Sequence, residues 1–431
     1  MAATSFGRDP LIMSSRIGAA VTWMLSDRNV RFLWIGRSGT FLADQVAELA
    51  LIWFTWDITH SSVLVAMVAF LVRAPFWALG WFAGIYVDRV SRQRLITSTN
   101  LVGAGLAIAI PVTYAMDAIN FAALSVLALM LAISRVIELP AMNAQLPELV
   151  EPSRVGALNL VMDNTKRIGR MIGPLVSSLL HTVLATPFLY FLVATGLMTM
   201  SYCSTRMRIT RPSHNSKVSN VRADLATGWR VLQNDRPLFL AILCFGLYNP
   251  VYAIGYWIVL PRFFNMDLSR AGDFYGWAVT AFSIGAFCGN VVISALGRFP
   301  RFRGMLAGFV VVGGGFGALA MTANVGTAAI AIGLAAIGIP MMEIGIGSLI
   351  NERVPKEHQG KLFALYRYFA ELGLAVGLLA GGFVVDRLGA RTSLAMLVAY
   401  VVPLVIAFHL LVQRAQRNEE RMVAAVGTSE I

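Results

Sequence analysis

The sequence predicts an all-α membrane protein with twelve transmembrane helices in two pseudo-symmetric six-helix bundles. Composition, the spacing of apolar runs and an internal repeat predict it. Of 431 residues, 57% are hydrophobic and 13% charged, and the mean hydropathy is +0.68, whereas soluble domains approach about 25% charged residues. A bilayer-crossing helix needs about 20 mostly apolar residues. Such runs fall at roughly 32–56, 62–87, 94–116, 120–144, 157–183 and 187–206, then at 237–261, 273–296, 304–322, 327–350, 360–385 and 391–413.

Lys and Arg in short loops resist translocation and so mark the cytoplasmic side. With both termini cytoplasmic, 24 of the 35 basic residues lie in inside segments, and only Arg262, Arg270, Arg387 and Arg391 lie outside. The net charge of +12 is then turned towards the cytoplasm and the anionic inner leaflet, and no nucleic-acid partner is implied. The expected organisation is a cytoplasmic segment at 1–31, a six-helix bundle at 32–206, a cytoplasmic linker at 207–236, a second bundle at 237–413 and a cytoplasmic tail at 414–431. In the linker Val221, Leu225, Trp229 and Leu232 recur at helical spacing, which predicts an amphipathic helix at the membrane surface. The first 30 residues contain Arg16 and Arg28 and no uninterrupted apolar core, so a removable signal peptide is not expected. Cys203, Cys244 and Cys288 fall in or beside predicted helices without metal-ligand spacing and read as buried small apolar residues.

The repeat sets the architecture. Leu146-Pro-Glu148-Leu-Val150 through Gly156-Ala-Leu158 aligns without gaps on Ile350-Asn-Glu352-Arg-Val354 through Gly360-Lys-Leu362 at an offset of 204 residues, and the same offset carries Gly169 onto Gly373 and Gly173 onto Gly377. Between the second and third apolar runs stands Gly84-Ile-Tyr-Val-Asp88-Arg89-Val-Ser-Arg92-Gln-Arg94. This stretch resembles the charged Gly-x-x-x-Asp-Arg-x-x-Arg-x-Arg loop of major facilitator superfamily transporters. Further similarity lies in Leu42-Ala-Asp44-Gln45, Thr59-His-Ser-Ser, Leu146-Pro-Glu148-Leu-Val, Gly173-Pro174, and Asp224-Leu-x-x-Gly228 followed by Pro237-Leu. Together these are similar to the branch that holds enterobactin-exporter-like and macrolide-efflux-like proteins. The resemblance implies the major facilitator fold, with a substrate site between the halves at mid-membrane. It also implies a cytoplasmic gate at Gly84, Asp88, Arg89 and Arg92, and a packing and bending element at Gly169, Gly173 and Pro174. Two departures stand out: Ser177 and Ser178 follow where drug antiporters usually carry small residues, and the second charged loop, Gly297-Arg298-Phe-Pro-Arg301-Phe-Arg303, lacks its acid.

Ionisable residues at membrane depth are costly and normally face a cavity or a partner. In the first span Arg37, Asp44 and Glu48 lie within about 40° of one helical stripe. Asp44 matches the acid that drug–proton antiporters carry there, and with Glu48 and Glu343 it is a candidate for proton coupling; a permanent pair between Arg37 and Asp44 or Glu48 is the competing reading. The fifth span places Asp163, Lys166, Arg167 and Arg170 on one face, and Arg73, Arg135 and Glu138 add to the charges at depth. Six cations against four acids in the first half favour an anionic, multiply carboxylated substrate, because Arg binds carboxylates through two parallel hydrogen bonds. Candidate substrate contacts are therefore Arg37, Arg73, Arg135, Glu138, Asp163, Lys166, Arg167 and Arg170, with Arg367, Glu371 and the tyrosines Tyr248, Tyr252 and Tyr256 from the second half. Arg367 and Glu371 are one turn apart and read most simply as an intrahelical pair.

Gly313, Gly314 and Gly315 sit inside an apolar run without the strand-loop-helix context or lysine of a phosphate loop, and no metal set or catalytic triad is placed. A non-enzymatic secondary transporter without cofactor is expected, driven by a proton gradient, monomeric, in the inner or plasma membrane. Three functions stay open: export of an anionic metabolite such as a carboxylate siderophore, drug or macrolide efflux, and import of a small organic anion.

Overall fold

A computed structural model describes residues 23, 26–79, 90–181, 183–208, 221–264, 268, 275–296 and 301–427. Helices α1 (Arg28–Thr59), α2 (Ser62–Ala78), α3 (Arg92–Ala115), α4 (Phe121–Leu149), α5 (Val155–His181) and α6 (Leu189–Arg206) are followed by the linker helix α7 (Val221–Asn234). Then come α8 (Arg236–Arg262), α9 (Tyr275–Leu296), α10 (Arg301–Met321), α11 (Val325–Arg353), α12 (Lys356–Leu388) and α13 (Ala390–Gly427). No strand occurs among the described residues.

Among the described residues, nine helices are long and apolar enough to cross a bilayer. The remaining three expected spans are occupied by α1, α2 and α5. Helices α1 and α5 carry the clustered ionisable residues, and α2 is described over 17 residues only. The helix starts follow local chemistry. Asn120 accepts the Ala123 N–H at 2.9 Å, Asn324 that of Thr327 at 2.9 Å and Asp235 that of Leu238 at 2.9 Å, each satisfying a donor that has no partner within its helix.

Two compact units emerge. One comprises Met1–Ala50, Arg73–Gly173 and Leu184–Lys217, the other Leu51–Val72, Pro174–Val183 and Val218–Ile431. The division cuts α1, α2 and α5 within their lengths, in α5 between Gly173 and Pro174. In the first unit Val30, Leu33, Ile96, Ala141, Met142, Leu158 and Met200 form the buried core. Asn29 ties three segments together, donating to the carbonyls of Leu149 (3.1 Å) and Arg208 (2.8 Å) and accepting the Arg208 N–H at 2.9 Å. A Cβ on Gly169 would lie 3.0 Å from the Phe41 Cβ, so α5 crosses close to α1 there, as α12 does to α8 in the second unit at Gly377, against the Pro250 Cα at 2.6 Å.

The second unit also holds α7, whose Leu232 is fully buried and whose Trp229 ring stacks on Phe369 of α12, with 6.3 Å between centroids. Within α8, residues Ala253–Val259 form a π-helical turn after Pro250. A Cβ on Gly255 would lie 2.5 Å from the Phe316 ring, so the widened turn receives a ring from α10. Gly389, between α12 and α13, has φ +78° and ψ 167°, a backbone region essentially reserved for glycine. Gly389→Ala is expected to cost about 1–3 kcal/mol, read as lowered thermal stability of purified protein.

Candidate functional site

The charges at depth in the first unit are sorted by the helices that present them. Arg37 of α1 and Glu138 of α4 are buried, Glu138 to 2% exposure. They meet at 3.5 Å between Arg37 Nη1 and Glu138 Oε1, and the Arg37 guanidinium lies over the Phe41 ring at 4.3 Å. Arg135, one turn before Glu138, pairs with it through Nη1 and reaches back to α1 through Nη2, which donates to Asp44 Oδ2 at 2.9 Å. Asn100 of α3 accepts from Arg135 Nη1 at 3.4 Å. Two cations and two carboxylates thus form a neutral chain, Arg37–Glu138–Arg135–Asp44, joining α1 and α4. Burial of so many charges is tolerable only because each has an opposite partner. Asp44, with 41% of its side chain exposed, is the open end of the chain.

Glu48 forms a second group, with Arg73 of α2 at 3.5 Å and the Gln45 Nε2 donating to it at 3.5 Å; Arg170 of α5 lies within electrostatic reach. The expected competing pair within α1 is not what forms. Residues seven apart are about 10.5 Å apart along the axis, so Arg37 and Asp44 reach two different residues of α4, Glu138 and Arg135, while Glu48 turns to Arg73 of α2.

The remaining cations lie on α5. Asp163, Lys166, Arg167 and Arg170 are all exposed. Around the same helix Ile168 and Ile172, exposed at 48% and 41%, point about 150° or more away from the mean direction of these four. Buried Met162, Thr165 and Gly173 occupy the arc between, and Trp34 Nε1 of α1 donates to Thr165 Oγ1 at 3.1 Å. The helix therefore has one face against α1, one exposed apolar face and one exposed charged face with three cations to one acid. Arg73 and Arg135, grouped with these cations in the sequence, are instead committed to acids.

At the start of α3, Arg92 pairs with Glu148 and donates to the Ala144 carbonyl at 3.1 Å. Its companions in the charged loop, Gly84, Asp88 and Arg89, lie outside the described residues. The second unit has the same arrangement: Arg301 at the start of α10 pairs with Glu352. Glu352, at the end of α11, stands 204 residues after Glu148.

Glu343 on α11 is exposed. Arg367 and Glu371 form the intrahelical pair at 3.9 Å, with Arg367 74% exposed, and Tyr366 lies near all three. Tyr252 and Tyr256 stack with 5.3 Å between centroids, and Tyr256 meets Phe282 at 4.7 Å. Tyr248 is buried to 2% between Phe309 and Phe245. Asn100 was not singled out from the sequence, and Gln45 only as part of the Leu42–Gln45 motif; the signal for Asn100 is a lone amide inside an apolar span.

The transmembrane secretion effector family matches residues 21–426. Macrolide efflux protein A of Streptococcus pyogenes is 22% identical over 372 residues, covering 83% of this chain and 89% of that protein. The staphyloferrin A transporter of Staphylococcus aureus is 23% identical over 266 residues, 59% of this chain and 64% of that protein. Multidrug efflux pump Tap of Mycolicibacterium fortuitum is 24% identical over 293 residues, 62% of this chain and 67% of that protein. Among solved structures, a bacterial homologue of the lysosomal transporter Spinster superposes with a TM-score of 0.71 at 13% identity, covering 90% of this chain and 98% of that one. A bacterial homologue of the iron transporter ferroportin gives 0.69 at 16%, covering 89% and 98%. With this fold and this family match, the chain belongs to the transmembrane secretion effector family of the major facilitator superfamily, and is a multi-pass membrane transporter rather than an enzyme.

Proposed function

We propose that this protein is a proton-coupled exporter of a small polycarboxylate, such as a carboxylate siderophore, working by alternating access between the halves at 32–206 and 237–413. The charged face of α5 supports the reading. Lys166, Arg167 and Arg170 share with Asp163 an exposed face of α5, three cations to one acid, on the side opposite the exposed isoleucines of the same helix. Lipid does not solvate such a face, whereas an aqueous path and an anionic cargo do. Among the relatives, one is named for staphyloferrin A. Proton coupling is assigned to Asp44, the exposed end of the neutral chain: its protonation releases the tie between α1 and α4 and leaves Arg135 with Glu138. Glu48 and Glu343 are the other proton candidates, and the termini are placed in the cytoplasm of a monomer in the inner or plasma membrane.

Lys166→Ala and Arg167→Ala are each expected to raise the apparent KM for a citrate-based siderophore about tenfold in inverted vesicles, with little change in protein level. Unchanged KM in both variants overturns the anionic reading. Efflux of macrolides is the second reading, supported by the coverage of macrolide efflux protein A and by the aromatic group Tyr252, Tyr256 and Phe282. It predicts instead that a deletion strain gains macrolide sensitivity and accumulates no carboxylate metabolite.

A further inference from the structure

The charged-loop pattern occurs a second time, at the far end of α12. Gly382-Phe-Val-Val-Asp386-Arg387 repeats the spacing of Gly84-Ile-Tyr-Val-Asp88-Arg89. Consecutive spans emerge on alternate faces of a membrane. The turn at 388–390 and the turn at 59–62 therefore share one face, opposite to the one carrying the Gly84 loop.

In the second unit this copy is fully engaged. Asp386 Oδ1 accepts the Ser62 N–H at 3.1 Å and Arg262 Nη1 at 3.0 Å. Its Oδ2 accepts the Val63 N–H at 3.2 Å and the Ser61 hydroxyl at 3.4 Å. Arg262 Nη1 also reaches the Ser62 hydroxyl at 3.5 Å. The first N–H groups of a helix have no partner within it and carry the positive end of its dipole, so a carboxylate from α12 caps α2 from outside. The glycine of the pattern allows the approach: a Cβ on Gly382 would lie 2.8 Å from the Val63 Cα and 3.0 Å from the Ser62 carbonyl oxygen. Arg391 completes the corner, donating to the Ala320 and Thr322 carbonyls at the end of α10 at 3.0 and 2.8 Å.

We propose that Asp386, with Arg262, is a positioning residue that latches the start of α2 to the ends of α8 and α12 and so holds the face opposite the Gly84 loop closed. The three helices belong to different halves of the sequence, α2 to the first, α8 and α12 to the second, so opening that face must release Ser61, Ser62 and Val63 from the carboxylate and Ser62 from Arg262, while the Asp386–Arg262 pair stays within the second half. This rests on the alternating-access reading above. Releasing the latch shifts the balance between states without touching the cargo or the proton site.

The test places spin labels at Met67→Cys on α2 and Leu388→Cys at the end of α12, both exposed, in protein whose Cys203, Cys244 and Cys288 are replaced by Ala. Electron paramagnetic resonance then reads the ratio of close to distant labels. Asp386→Asn is expected to lower that ratio about tenfold, Arg262→Gln by less, and Asp386→Glu to stay near the parent. An unchanged ratio in Asp386→Asn overturns the latch. If Asp386→Asn does not purify as monodisperse protein, an unchanged ratio in Arg262→Gln overturns it. The measurement needs no cargo and no gradient, so failure of the export assay and failure of the latch are read separately.

Discussion

Asp44→Asn is expected to reduce transport driven by a pH gradient at least 100-fold, while exchange of internal for external cargo at equal pH continues. Asn keeps the shape of the side chain and still accepts a hydrogen bond from Arg135, whose other bond to Glu138 is untouched. What it loses is the ability to take up and release a proton. A carboxylate that serves only to neutralise Arg135 would, when replaced, weaken exchange and gradient-driven transport together. The two are separated in proteoliposomes by comparing counterflow with ΔpH-driven flux. Equal loss in both assigns Asp44 a structural role and moves proton coupling to Glu48 or Glu343.

The second expectation concerns Glu138, buried at the centre of the charge chain. Glu138→Ala leaves Arg37 without its carboxylate and Arg135 with Asp44 alone. Removing one partner of a buried pair costs about 3–5 kcal/mol because the other charge stays desolvated. Folded yield and thermal stability of detergent-purified protein should both fall sharply. Arg37→Met combined with Glu138→Met removes both partners of one pair and should recover much of the loss, since apolar replacement of a whole buried pair is often neutral. A single variant as stable as the parent would show that Arg37 escapes to water, and would dissolve the chain as a structural unit.

How the charges divide explains what was readable in advance. Helix positions were legible because bilayer thickness demands long apolar runs, and each expected run overlaps a described helix, nine of them long and apolar enough to span among the described residues. The repeat at 204 residues was legible as identity of residue type, and its two glutamates, Glu148 and Glu352, each pair with an arginine at the start of a helix, Arg92 and Arg301. The face of α5 was legible because Asp163, Lys166, Arg167 and Arg170 recur at helical spacing. The partners of Arg73 and Arg135 were not, because an ion pair between helices depends on which faces meet, and spacing along one helix carries no such information. For the same reason Tyr248, Tyr252 and Tyr256 looked alike in sequence, whereas the fold buries the first between Phe245 and Phe309 and stacks the other two on a π-helical turn.

Membrane class, the all-helical fold and the excess of cations among residues 32–206 follow from composition and periodicity, since water and hydrocarbon sort residues by polarity wherever the chain goes. Which acid neutralises Arg37, Arg73 and Arg135 came only with the packed helices. The capping of α2 by Asp386, from more than 320 residues away, came the same way. Electrostatic energy depends on separation in space, and residues remote in sequence acquire a separation only when the chain has folded.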